Sequence, residues 1–222
     1  MPAPSQARDP STRLRLLEAA EVLFASHGFD SVSLRLLTRQ AKANLASVHY
    51  HFGSKEALID AVIARYVSPI NHQRLALLDN EERLAGPSGF VPLRPLVLAF
   101  IGPVFSMIRQ SELSEKLFFK LMGRFMSDRG YRLPESVTPL FQEVSRRFSL
   151  ALQRSLPALP EHLILWRLHF TFGVFAHTFS HREALAQVTG GRAGNPSAEE
   201  ILQHAADYCV AGLQAPVSIP EL

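Results

Sequence analysis

Apolar residues recur at three- and four-residue spacing along nearly the whole chain, and no stretch alternates apolar with polar between hairpin turns. That one period argues against a sheet architecture and predicts an all-α fold. With 47% hydrophobic and 19% charged residues, the 222-residue chain can fill a sizeable core and is too weakly charged for wholesale disorder. Its length suits one large domain or two small ones. Uninterrupted apolar runs are short (Val97 to Ile101 is typical), far below the ~20 residues that span a bilayer. The first eight residues lack the apolar segment of a secretory signal. The single cysteine, Cys209, excludes an internal disulfide and a cysteine-based zinc site. A cytoplasmic protein without a membrane partner is expected.

Punctuation divides the chain into about nine helices. Asp9 and Pro10 read as an N-cap followed by proline at the first helical position. Leu16, Leu17, Ala20, Leu23 and Phe24 then form one stripe, and Gly28 ends it. Ser33 opens a second short helix, with Leu34, Leu37 and Ala41 on one side. After a turn at Lys42 and Ala43, a third short helix covers 44–51 and breaks at Gly53. Ser54 caps a longer fourth helix containing Leu58, Ala61, Val62 and Tyr66, which Pro69 is expected to kink or interrupt. Residues 86–92 form a loop. Further helices fall near 93–110, with a bend at Pro103, and near 112–128, 136–155, 160–185 and 198–214. Ser197 and Glu200 make a capping box for the last.

Three short helices in some 45 residues, the last two joined by a tight turn, suggest a helix-turn-helix. Stepping the third helix at 100° per residue from Val48 puts Asn44, Leu45 and Phe52 on its side, with His51 on that flank. Ala46 and Tyr50 point away, with Ser47 and His49 beside them. This outward face is small, polar or aromatic and carries no acid. Such a face suits a major groove, where small residues permit approach and hydroxyl and imidazole groups bond to bases or phosphates. Charge agrees weakly: residues 1–55 hold seven basic and four acidic side chains, whereas 56–222 balance at sixteen each. Structural readings stand beside these. Leu45 is core-facing by the same angular count, and His51 suits a buried hydrogen-bonding histidine.

Residues 44–58 resemble the recognition helix and following cap of the TetR family of one-component transcriptional repressors, often written Y-x-F-x-S-K-E-x-L. Residues 14–62 match that family's DNA-binding domain in length and apolar positions. The resemblance implies a homodimer that binds double-stranded DNA at a palindromic operator and responds to a hydrophobic small-molecule effector. It divides the chain into a helix-turn-helix domain at 9–55, a ligand-binding and dimerisation domain at 56–214, and tails at 1–8 and 215–222. By position, Arg35 would reach a phosphate or base edge, and Leu45, Ala46, Ser47 and Tyr50 would face the groove. His51 and Lys55 would hold phosphates, with Ser33 as a further donor. Asn44 and His49 complete the candidate set. The family's turn usually has glycine where this chain has Lys42; at positive φ lysine costs roughly 1 kcal/mol, unless it earns a phosphate contact.

The second half is rich in phenylalanine, with eleven of the fifteen between Phe100 and Phe179. Residues 163–179 are apolar almost all round, so this helix must be buried on more than one side. In the resembled family, it and the last helix form a four-helix dimer interface. Phe105, Phe118, Met122, Phe125, Trp166, His169 and Phe170 are the candidate ligand-binding residues, with ordinary core packing as the alternative for each. Residues 166–170 and 172–175 also resemble PsrA-like regulators, a TetR branch associated with fatty-acid metabolism. That resemblance implies a fatty acyl ligand whose head meets Arg124, Arg167 or His169.

His177 and His181 have the spacing of a two-histidine metal site, yet no third ligand stands nearby in sequence, so neither metal nor cofactor is expected. Cys209 reads as a buried inert thiol. No catalytic motif is present, and an enzyme is not expected. The rival readings are an all-helical lipid carrier or, further off, an enzyme with a vestigial helix-turn-helix.

Overall fold

A computed structural model describes residues 10–110, 113–128 and 133–217. The proposed cap at Asp9, the tail 1–8, the helix start at 112 and residues 218–222 lie outside them, as do the side chains of Met126 and Phe179. Within the described residues the fold is all-α. Ten α-helices follow in order: α1 (Pro10–His27), α2 (Leu34–Gln40), α3 (Leu45–Phe52), α4 (Lys55–Ala85), α5 (Leu93–Gln110), α6 (Glu115–Asp128), α7 (Thr138–Ser155), α8 (Glu161–Ser180), α9 (Arg182–Val188) and α10 (Ala198–Gln214). A 3-10 turn at Gly86–Ser88 follows α4. Among the described residues no helix is long and apolar enough to cross a membrane.

The structure departs from the expected helix plan at two places. The helix predicted at 160–185 is two, because His181 leaves helical geometry at φ −122° and ψ 19°. Its Nδ1 donates to the His177 carbonyl at 3.2 Å, and Leu185 N–H starts α9 on the His181 carbonyl at 3.1 Å. Pro69 does not interrupt α4. Proline forfeits one donor there, and at this exposed position water can satisfy the orphaned carbonyl.

The chain forms two compact units. One contains residues up to 67 together with the segment around α6. Its centre is Leu16, Ala20, Phe24, Phe29, Leu37, Val48, Leu58 and Val62, all buried. The Phe24 and Phe29 rings meet 5.2 Å apart. Helix α6 packs along α1 with Phe118, Leu121 and Phe125 buried. Inside this unit Glu21 is buried and Arg65 donates to its Oε1 at 3.0 Å. Burial pushes the Glu21 carboxyl above its ordinary range, against the opposing pull of Tyr66 and Arg65.

The other unit holds the second part of α4 with α5 and α7–α10. Phe100 and Phe148 pack edge to face at 5.1 Å, and Phe105 meets Phe175 at 5.6 Å. On its surface Arg147 donates to Asp79 and Glu82, each at 2.6 Å, and Arg154 donates to Glu82 at 2.6 Å. This ladder ties α7 to α4. The Ser197 and Glu200 capping box opens α10 as the spacing predicts.

Candidate nucleic-acid interface

The local chemistry of residues 33–55 sets the reading helix. Ser33 Oγ accepts from Leu36 N–H at 3.2 Å and fixes the start of α2, where Arg35 is exposed. The end of α2 is a Schellman turn: Ala43 N–H donates to the Thr38 carbonyl at 2.9 Å and Lys42 N–H to the Arg39 carbonyl at 3.3 Å. Lys42 therefore occupies the left-handed position, at φ 49°, and is the only non-glycine residue at positive φ among the described residues. Arg15 of α1 braces the turn by donating to the Ala41 carbonyl at 3.3 Å.

Asn44 caps α3. Its Oδ1 accepts from the Ser47 N–H at 2.8 Å and from the Ser47 hydroxyl at 2.9 Å, so both residues are pinned at the helix start. Gly53, at φ 82°, closes the other end with its N–H on the His49 carbonyl at 2.9 Å. The Gly53 carbonyl in turn faces His49 Nδ1 at 2.9 Å. A carbonyl only accepts, so Nδ1 carries a proton, and of the two neutral tautomers the bond selects the one with Nε2 as an acceptor.

Val48 is fully buried, whereas Tyr50 is 58% exposed, Leu45 45%, and Ala46 and His49 are exposed with them. Ser47 and His51 are half-buried. The Tyr50 and His51 rings meet edge to face at 5.0 Å. Lys55 is half-buried and donates one ammonium hydrogen to the Asp30 carbonyl at 3.3 Å. Arg13 is a further cation that the sequence pattern does not single out: its guanidinium lies 5.2 Å from the Phe52 ring centroid. An arginine near the start of the first helix is its only sequence signal. These residues offer a surface of hydroxyl, imidazole, phenol and cationic groups with no carboxylate on α3.

The seven candidate ligand residues divide between the two units. Phe118, Met122 and Phe125 belong to the first unit, where Phe118 is fully buried against Tyr66 at 5.6 Å. Phe105 is in the core of the second unit. Trp166, His169 and Phe170 form an exposed ring cluster on α8, with Trp166 and Phe170 centroids 5.8 Å apart. Arg124 donates to the Ala25 carbonyl at 3.3 Å, and Arg167 donates to the carbonyls of Leu213 and, at 2.7 Å, Ala215. Cys209 is buried, and burial pushes its thiol up, with Thr171 pulling the other way. His177 and His181 stack at 4.3 Å, and among the described residues no group of three or more metal-ligating side chains gathers.

Two family models match the sequence: "Bacterial regulatory proteins, tetR family" over residues 16–62, and "Tetracyclin repressor-like, C-terminal domain" over 98–212. Among curated proteins, the chain is 36% identical over 73 residues to the HTH-type transcriptional regulator UidR of Escherichia coli, covering 29% of this chain and 37% of that one. It is 32% identical over 84 residues to the HTH-type transcriptional repressor NicS of Pseudomonas putida, covering 36% and 40%. The chain thus aligns with well under half the length of these relatives. Its fold matches Mycobacterium smegmatis AmtR at TM-score 0.61 with 17% identity, covering 97% of this chain and 92% of that one. A TetR-family regulator from Mesorhizobium loti matches at TM-score 0.56 with 20% identity, covering 94% and 97%. With one family model matched over residues 98–212, more than half of the chain, and a second over 16–62, the chain belongs to the TetR family of bacterial transcriptional regulators.

Proposed function

We propose that the protein is a repressor that binds a palindromic operator as a homodimer and leaves it when a hydrophobic small molecule binds its C-terminal half. The observation that carries DNA reading is the acid-free outward side of α3, where Leu45, Ala46, Ser47, His49 and Tyr50 stand around a fully buried Val48. Ala46 permits close approach, while Ser47, His49 and Tyr50 read base edges. Ser33, Arg35, Lys42, Asn44, His51 and Lys55 set register on the phosphates. Residues 9–55 serve as the reader and 56–214 as the ligand-binding and dimerisation part.

The exposed apolar side chains Leu165, Trp166 and Phe170 of α8 and Tyr208 of α10 support pairing with a second copy. Two copies would set their α3 helices in successive major grooves, about 34 Å apart. Repression is favoured because NicS, a relative, is a repressor. A fatty acyl effector is the class the sequence of 166–175 favours. Release needs only a differential affinity of about 1–3 kcal/mol between two dimer geometries. The protein would act in the cytoplasm, where bacterial DNA is, and without catalysis.

Fluorescence anisotropy on the gene's own upstream DNA tests this. Tight binding that falls steeply with salt is expected, and Tyr50→Ala should abolish the preference for that DNA while the melting curve stays in place. Undiminished specific binding by the variant would refute the assigned reading face.

A further inference from the structure

Arg74 of α4 is 3% exposed, the one charged side chain buried in the second unit among the described residues. Its Nε donates to the Phe100 carbonyl at 2.7 Å and a terminal N–H donates to Asn71 Oδ1 at 2.8 Å. The guanidinium also lies 4.5 Å from the Phe100 ring centroid, and Phe100 packs against Phe148. Asn71 is fully buried. Because arginine only donates, its bond identifies Oδ1 and fixes which way the amide points. The opposite end, Nδ2, has no hydrogen-bond partner among the described residues.

A buried donor without an acceptor is rare and destabilising. An aliphatic residue here would fill the space without that penalty. Asn71 is instead held by its oxygen, with its buried donor end unbonded and a positive charge one hydrogen bond away. Of the groups that the sequence suggested for a ligand head, Arg124 and Arg167 donate to backbone carbonyls, and His169 sits on an exposed face.

We infer that Asn71 and Arg74 form the headgroup site for an effector with an apolar body and an anionic acceptor, a monocarboxylate. Asn71 Nδ2 donates to a carboxylate oxygen. The nearby Arg74 charge favours the ionised acid over an ester or alcohol, since charge interactions strengthen in a low-dielectric interior. The Phe100 and Phe148 rings supply apolar wall beside it. This rests on the ligand-responsive reading above and names the chemistry and the residues that would serve it.

Calorimetry on the full-length protein tests it with sodium octanoate, sodium dodecanoate, methyl dodecanoate and dodecan-1-ol, all below micellar concentration. Asn71→Asp keeps the oxygen that Arg74 bonds, keeps the volume, and replaces the donor with a negative oxygen. Carboxylate affinity should fall roughly ten- to hundred-fold in this variant, and dodecan-1-ol affinity much less. Equal carboxylate binding by both proteins overturns the inference, as does wild-type protein that binds neither acid. Should the variant fail to fold, the wild-type comparison decides: dodecanoate must bind at least tenfold tighter than its methyl ester, and parity overturns the inference. Operator binding, followed separately by anisotropy, keeps the two readings apart. Carboxylate binding without DNA binding sinks the repressor alone, and DNA binding without carboxylate binding sinks the headgroup site alone.

Discussion

His49 Nδ1 donates to the Gly53 carbonyl at 2.9 Å, a bond that joins the middle of the reading helix to the residue that ends it. Of the two neutral tautomers the bond selects the one with Nε2 as an acceptor. Nε2 suits an exocyclic amine on a base edge. His49→Ala should lower operator affinity by about 1–3 kcal/mol and relax preference at one base pair, leaving non-specific binding nearly unchanged. Competition anisotropy with single-base operator variants would show it. A uniform loss across all sequences would instead make His49 a phosphate contact.

Lys42 occupies a turn position that glycine fills without strain. Lys42→Gly should raise stability by about 1 kcal/mol, read as a higher urea midpoint at unchanged slope. The same change should weaken binding to all DNA and lower the salt slope by about 0.9, the loss of one phosphate contact. A gain in stability with no change in salt slope would leave the lysine without a role on DNA.

Glu21 titrates with folding. Its folded carboxyl sits above the ordinary value of 4.5, because burial outweighs the Tyr66 and Arg65 interactions. The folded state therefore holds the proton more tightly than the unfolded one. That contribution is complete below the unfolded pKa and disappears as pH rises through the folded one. Relative to wild type, Glu21→Gln should gain unfolding free energy progressively from about pH 4.5 upward. Denaturant titrations at several pH values check the sign, and a gap that narrows with pH would contradict it.

Phe170 is 58% exposed beside Trp166 on α8. If α8 carries the proposed pairing of two copies, Phe170→Glu should sediment as a monomer where the wild type sediments as a dimer, with helical content intact. A variant that still sediments as a dimer would move the interface elsewhere.

The reading helix was legible because one period governs it. Counting from Val48 places Tyr50 and Ala46 outside and the valine inside, as the burial shows. Leu45 was not decided by angle alone, since the count says nothing of how far neighbouring helices cover a first turn; it is 45% exposed. The Ser33, Ser54 and Ser197 caps were legible because each is a local bond within three residues. The break at His181 had no proline or glycine to announce it. Asn71 and Arg74 were invisible for a different reason. They sit in a polar stretch, Asn71 to Arg74, that reads as a solvated face until the fold buries two of the four. Whether an aromatic side chain such as Phe105 or Phe118 lines a pocket or a core depends on which helices enclose it, and residue type does not carry that.

The Arg147, Asp79, Glu82 and Arg154 ladder bears on every salt titration proposed above. Its members lie at the surface of the second unit, within reach of mobile ions. Ionic strength thus has two addresses in one molecule: the phosphates it screens from the reader, and a clasp between two helices far along the chain. An operator-release curve recorded against sodium chloride is a property of DNA contacts alone only after the protein's own denaturation midpoint has been followed over the same range.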